Sequence, residues 1–201
     1  MRLTPDTLTH ERAAVFMDYP DTQHGLARAG RQIDALALRD YLAEGRHLVE
    51  AFAYLATSPV PRRDNGADLA DRLHRHGFLV RSQPGQYTPD GRLSRDFTLD
   101  IALDIQEFVA RVRPDIVILV TSSGALTPLV QRLRLQGVRV EVAAPPTTVA
   151  PALRAMANGF IDLTQIGQPV EHLPVPGLDD DEDEDDDLDP AEEAVAPAPV
   201  A

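Results

Sequence analysis

The sequence predicts a three-layer α/β/α fold around a mainly parallel, five-stranded sheet. Two observations carry that prediction. First, Asp115-Ile116-Val117-Ile118-Leu119-Val120 holds an unbroken apolar run rich in β-branched side chains. That is the pattern of a parallel strand covered on both faces. Second, short apolar runs alternate along the chain with stretches of three- and four-residue apolar spacing, the order expected of repeated βαβ units. Right-handed crossovers should join the strands.

The elements follow in order. Residues 1–11 are polar and read as an N-terminal arm. Arg12 to Asp18 is a first strand ending in an acid, followed by the breaker Tyr19-Pro20-Asp21. Residues 22–45 have helical spacing through Leu26, Ile33, Leu36, Leu38 and Leu42, interrupted near Gly30 and stopped at Gly45. His47 to Leu55 is a second strand, residues 57–66 a loop, and residues 67–76 a helix ended by Gly77. Phe78 to Ser82 is a third strand, and residues 83–95, with Pro84-Gly85 and Pro89-Asp90-Gly91, form a loop. Thr98 to Val112 is a helix with Leu99, Ala102, Leu103, Ile105, Phe108, Val109 and Val112 at helical spacing. The fourth strand then leads through Thr121-Ser122-Ser123-Gly124 to a helix. Thr127 reads as its N-cap, Pro128 as its first residue and Gly137 as its stop. Val138 to Ala143 is a fifth strand, and Val149 to Asn158 a short helix before Phe160-Ile161-Asp162-Leu163.

Composition bounds the function. The formal charge is −13, but residues 179–201 hold 12 acids and no base. The remainder is nearly neutral, with 20 acids against 19 bases, every one an arginine. From Gln168 onward prolines precede the acidic run and Ala-Pro repeats follow it, so residues 168–201 read as a disordered tail beside a domain over 12–167. Such a tail is a solubilising segment or a competitor for arginines. There is no cysteine, which excludes disulfides, thiolate zinc sites and cysteine nucleophiles. No apolar run approaches the ~18 residues of a membrane span, and Met1-Arg2-Leu3-Thr4-Pro5-Asp6 does not read as a signal peptide. A cytoplasmic protein with no membrane partner is expected.

Open α/β sheets place ligands beyond the carboxyl ends of their strands. Asp18 lies at such an end, either as a site acid or as a cap for the next helix. The turn Thr121, Ser122, Ser123 and Gly124 lies at another, where backbone N–H groups and a helix N-terminus favour an anion. Asp100 and Asp104 are four apart and share one helical face. His74 and His76, two apart, do not face together.

Several stretches also carry a family likeness. Val15-Phe16-Met17-Asp18-Tyr19-Pro20 is an apolar strand ending in Asp. Asp96-Phe97-Thr98-Leu99-Asp100-Ile101-Ala102-Leu103-Asp104 matches, in its second half, a helix start written Asn-Phe-Asp-Val-x-Ile-Ala-Leu-Asp. Thr121 to Val130 stands where Ser-Gly-Asp-Gly-Asp-Phe-x-Pro-Leu-Val is found, and Gly137 to Val142 and Phe160 to Leu163 complete the series. In this order and spacing, over roughly residues 12–165, the chain resembles the NYN family (the LabA-like group) of the PIN-like nuclease superfamily.

The resemblance implies a PIN-like fold and metal-dependent RNA cleavage, with carboxylates holding Mg²⁺ or Mn²⁺. Asp18 and Asp104 match family acids and are the implied metal ligands and catalytic residues. Thr98, Ser123 and Ala125 stand where further acids are expected, and Asp21 stands near an asparagine position. Asp100, one helical turn before Asp104, is the candidate replacement for the acid missing at Thr98, with Asp96 a second. Three functions follow. One is an RNA-binding member of the family with an eroded acid cluster and weak or absent cleavage. It would grip RNA through Arg62, Arg63, Arg92 and Arg95, with Tyr87 stacking on a base. Another is an active Mg²⁺- or Mn²⁺-dependent ribonuclease using Asp18, Asp100 and Asp104. A third is a phosphate- or nucleotide-binding module at the Thr121–Gly124 turn, or a module that binds a protein partner or a second copy of the chain.

Overall fold

The computed structural model describes residues 11–58, 66–89 and 91–169. Arg62, Arg63, most of the N-terminal arm and the acidic tail lie outside the described residues. The chain begins with β1 (Arg12–Asp18), α1 (Tyr19–Arg28), β2 (Arg31–Gln32), α2 (Ala35–Ala43), β3 (His47–Thr57), α3 (Gly66–Arg75) and β4 (Leu79–Pro84). It continues with β5 (Gln86–Tyr87), β6 (Leu93–Ser94), α4 (Thr98–Val112), β7 (Ile116–Val120) and α5 (Thr127–Leu135). It closes with β8 (Arg139–Ala144), α6 (Pro151–Met156), β9 (Gly159–Asp162) and β10 (Gln168–Pro169).

The central sheet has six strands, all parallel, in the order β4-β3-β1-β7-β8-β9. The sequence predicted five; the sixth is Gly159–Asp162, which pairs with β8 from Glu141 to Ala144. Its four residues are half-buried rather than an apolar run, which hid it from pattern reading.

Two-residue alternation sorts the strands between two cores. Ala14, Phe16, Phe52, Tyr54, Val117, Leu119, Val140 and Val142 face α4, α5 and α6. Phe16 and Phe52 stack with centroids 4.7 Å apart, and Phe108 of α4 meets both rings edge-on. Val15, Met17, Ala51, Ala53, Ile118 and Val120 face α1, α2 and α3 through Leu26, Leu38, Leu42 and Leu73. The three layers predicted from sequence are therefore present.

The local differences have physical causes. The stretch 22–45 is two helices, because Gly30 takes the left-handed conformation (φ +65°) and β2 intervenes. Helix α5 begins at Thr127 itself, with Leu126 as a cap that makes no side-chain bond. The Thr127 hydroxyl instead donates back to the Gly124 carbonyl at 2.7 Å, closing a 3₁₀ turn over Gly124–Leu126. The loop 83–95 contains the β5–β6 hairpin. Gln168 and Pro169, read from sequence as the start of the tail, pair antiparallel with β2.

Candidate functional site at the carboxyl edge

From β1 the chain builds outward through β3 and β4, then crosses to β7 on the other side of β1. That reversal opens a crevice beyond the carboxyl ends of β1 and β7. The lining of a cavity of about 1020 Å³ there includes Asp18, Asp21 and His24 from the β1–α1 side. It also includes Leu55, Ala56 and Ser58 at the end of β3, Tyr87, Arg92, Leu93 and Arg95 around the hairpin, Asp96 and Thr98 at the start of α4, and Ser123 after β7.

Asp18 is only 7% exposed. Its Oδ1 accepts the Asp21 N–H at 3.1 Å, so it is the N-cap of α1 while also lining the cavity. Burial, opposed by that hydrogen bond and reinforced by the charges of Asp21 and Asp96, raises its pKa from 3.8 to about 7. Asp21 is engaged too: its Oδ2 accepts the Thr121 hydroxyl at 2.9 Å and the Ser122 N–H. The sequence left Asp21 at the margin of the site. The structure makes it the clasp that fastens α1 to the β7 turn. Asp96 accepts hydrogen bonds from Thr98, which hold its carboxyl below the usual range.

Asp100 and Asp104 are not among the residues lining this cavity. The Asp104 Oδ2 accepts the Tyr54 hydroxyl at 2.9 Å and lies 3.3 Å from Arg81 Nε. Burial and the Asp104 carboxylate push the Tyr54 phenol upward. Asp100 accepts Gln83 Nε2 at 2.8 Å and lies 4.0 Å from Arg95. Tyr54, Gln83 and Arg81 were missed from sequence. They sit on β3 and β4, and only the three-dimensional neighbourhood of those strands brings them to α4. Among the described residues, no three His, Asp or Glu side chains form a group that could hold a metal ion.

Of the predicted anion-binding turn, Ser123 lines the cavity, while Thr121 and Ser122 are buried behind it. The Ser122 hydroxyl meets Thr148 at 3.0 Å, and Gly124 starts the 3₁₀ turn. Arg92 and Arg95 both line the cavity. Arg95 stacks over Phe97, 5.6 Å from the ring centroid, and donates to the Pro84 carbonyl at 3.1 Å. Arg92 contacts His24 Nδ1 across the cavity.

A family model for the NYN domain matches residues 12–164. The chain belongs to the NYN family. NYN domains fall within the PIN-like nuclease superfamily, so the fold is nuclease-like. A crystal structure of a protein of unknown function from Vibrio parahaemolyticus RIMD 2210633 resembles it with a TM-score of 0.67 at 23% identity. The match covers 82% of this chain and 99% of that one and shows a shared fold. A putative UDP-N-acetylglucosamine 2-epimerase from Listeria monocytogenes is far more distant, with a TM-score of 0.40 at 12% identity over 75% of this chain and 38% of that one. No curated protein matches the chain. Within this NYN domain, the turn where acids were expected carries Ser123 and Ala125, and the helix start carries Thr98. No helix among the described residues is long and apolar enough to cross a membrane.

Proposed function

We propose that this NYN domain binds single-stranded RNA at the carboxyl edge of its sheet and cleaves it weakly or not at all. The observation that carries this is the position of Asp104. Its carboxylate is neutralised by Tyr54 and Arg81 and lies off the cavity that Asp18 lines. A hard cation such as Mg²⁺ or Mn²⁺ wants several oxygen ligands, at least one or two of them carboxylates, converging on a point. Here the buried candidate, Asp18, is engaged as the cap of a helix. Asp21 and Asp96 line the same cavity but are engaged by Thr121, Ser122 and Thr98, and Thr98 and Ser123 themselves supply only neutral oxygens. This donor set does not fit a resident metal.

The cavity retains features that suit a nucleic acid. Tyr87 offers a ring to a base, Arg92 and Arg95 bring positive charge, and Leu55, Ala56 and Leu93 give an apolar floor. The active-enzyme alternative needs Asp18, Asp100 and Asp104 together, and only Asp18 lines the cavity. A free anion at the Thr121–Gly124 turn has a built-in competitor, since Asp21 already occupies the Ser122 N–H.

The test is RNA binding by anisotropy at low salt, with Mn²⁺ calorimetry and a cleavage assay in parallel. Binding that weakens steadily with salt, without Mn²⁺-dependent cleavage, is expected. Mn²⁺-dependent cleavage that Asp18→Asn abolishes would establish an active enzyme instead. Absence of RNA binding at low salt would redirect the search to a protein partner.

A further inference from the structure

Charge is divided unevenly along this chain. Between Asp115 and Asp162 the only acid is Glu141, against Arg132, Arg134, Arg139 and Arg154. Glu141 is 3% exposed and already held, by Arg46 Nη2 at 2.8 Å and by Arg139 Nε at 3.0 Å. The part of the domain built by β7, α5, β8 and α6 therefore presents four exposed arginines and no exposed carboxylate of its own. Asp115, just before β7, accepts the Arg12 N–H at 2.8 Å. The carboxyl-edge cavity, by contrast, is lined by Asp18, Asp21 and Asp96.

Two of those four arginines line a second cavity. It is an open cleft of about 630 Å³ at the opposite, amino edge of the sheet, where α5 ends and β8 begins. Gln131 and Arg134 of α5, Arg139 of β8, and Met156 and Asn158 at the end of α6 contribute to its wall. Arg134 Nη1 donates to the Met156 carbonyl at 2.6 Å, which fixes the guanidinium on that wall. Arg139 is bound to Glu141 through Nε and its side chain is 52% exposed, so its terminal nitrogens are available to a ligand. Asn158 Oδ1 accepts the Val140 N–H at 2.9 Å, which leaves its amide N–H groups as donors. Among the described residues, the lining holds two cations and no anion. Guanidinium forks match phosphate oxygens in pairs. Small-ligand sites enclose most of their ligand, whereas an open basic cleft suits the backbone of a polyanion.

Resting on the RNA-binding function, we infer that this amino-edge cleft is a second nucleic-acid contact, which grips backbone phosphates through Arg134 and Arg139 without reading sequence. The six residues of β8, about 20 Å of strand, separate the amino edge from the carboxyl edge. A single strand of more than about six stacked nucleotides, at 3.4 Å each, is long enough to engage both.

The experiment measures binding of a labelled single-stranded RNA of about 20 nucleotides to the full chain by anisotropy, over a range of salt concentrations. Two neutralised phosphates contribute a slope of about 1.4 in log affinity against log salt. Arg134→Gln/Arg139→Gln should lose that contribution and bind at least about fivefold more weakly at low salt. Glu141 keeps Arg46 in this variant, and thermal unfolding checks that it folds. Arg28→Gln/Arg111→Gln removes the same charge from exposed positions elsewhere and should leave the slope unchanged. Independently of any variant, pyrophosphate titrated into isotope-labelled wild type should shift the backbone amides of Gly137, Val138, Arg139 and Asn158. A folded Arg134→Gln/Arg139→Gln protein with wild-type slope and affinity overturns the inference and leaves RNA binding at the carboxyl edge standing. An equal loss in the control variant does the same, since net charge then accounts for the effect. Amides that stay unshifted in wild type overturn the cleft even if the double variant does not fold. Pyrophosphate shifts without RNA binding keep a phosphate cleft but overturn its nucleic-acid ligand together with the RNA function; absence of both overturns both.

Discussion

Replacing Asp18 with asparagine should stabilise this protein above neutral pH. Asp18 is buried at the end of β1, and its pKa in the folded state stands at about 7 rather than 3.8. The folded protein thus binds a proton that the unfolded chain releases across that interval. Stability from this group is complete below pH 3.8 and is lost as pH rises through 7. A shift of roughly 3 units at 1.36 kcal/mol each gives a loss of about 4 kcal/mol. Asparagine has no such titration, yet it caps helices as well as aspartate does, and its oxygen can still accept the Asp21 N–H.

The assay is thermal and denaturant unfolding of wild type and Asp18→Asn from pH 4 to 8.5. All other ionisable groups are common to both proteins, so the difference curve isolates Asp18. The variant's advantage should grow with pH and level off above 7, corresponding to roughly 10 °C in Tm for a domain of this size. A difference curve flat with pH, or a variant less stable at pH 8, would refute the assignment of a protonated, buried Asp18.

Other substitutions test neighbouring contacts. Gly25→Ala puts a Cβ 3.0 Å from Thr148 Oγ1 and 3.4 Å from Ser122 Oγ, between α1 and the β7 turn. Ala gains about 1 kcal/mol over Gly in a helix interior, so calorimetric unfolding should register a net loss of up to about 2 kcal/mol, and a stabilised variant would show that the Thr148 hydroxyl yields. Asp21→Ala orphans the Thr121 hydroxyl and the Ser122 N–H. A loss of about 1–3 kcal/mol should appear in denaturant melts, and wild-type stability in this variant would show that the clasp contributes nothing. Ser123→Asp with Ala125→Asp returns two carboxylates to the turn. Calorimetry should then record Mn²⁺ binding where wild type gives none, and a silent titration would mean that the turn acids alone do not rebuild a cation site.

The fold was legible because its strands announce themselves. Ile116–Val120 is buried on both faces, and the burial of Arg12–Asp18 and His47–Thr57 rises toward their carboxyl ends. The boundaries of α4 were readable as well, since Leu99 to Val112 keeps helical spacing without interruption. What escaped was short: β2, β5, β6, β9 and β10 carry no period long enough to detect. The site was half legible. Asp18 and Ser123 could be placed at strand ends from the chain order alone. That Asp104 turns toward Tyr54 and Arg81 could not, because the pairing joins α4 to β3 and β4 across 50 residues for Tyr54 and 23 for Arg81.

Carboxylates gathered at one edge of a sheet repel unless something neutralises each of them. A resident cation is one solution, and ion pairs, hydrogen bonds and protons are the others. The described acids near this edge each have a contact or a proton of the second kind. Asp104 has Arg81 and the Tyr54 hydroxyl, Asp100 has Gln83, Asp96 has Thr98, and Asp21 has the Thr121 hydroxyl and the Ser122 N–H. Asp18, without a cationic partner, takes up a proton near neutral pH. Four of these acids thereby hold one element to another: Asp104 and Asp100 join α4 to β3 and β4, Asp21 joins α1 to the β7 turn, and Asp18 joins β1 to α1. A metal entering this edge would compete with those contacts for the carboxylate oxygens. Under the proposed function, that competition is what would favour binding over hydrolysis at this cavity.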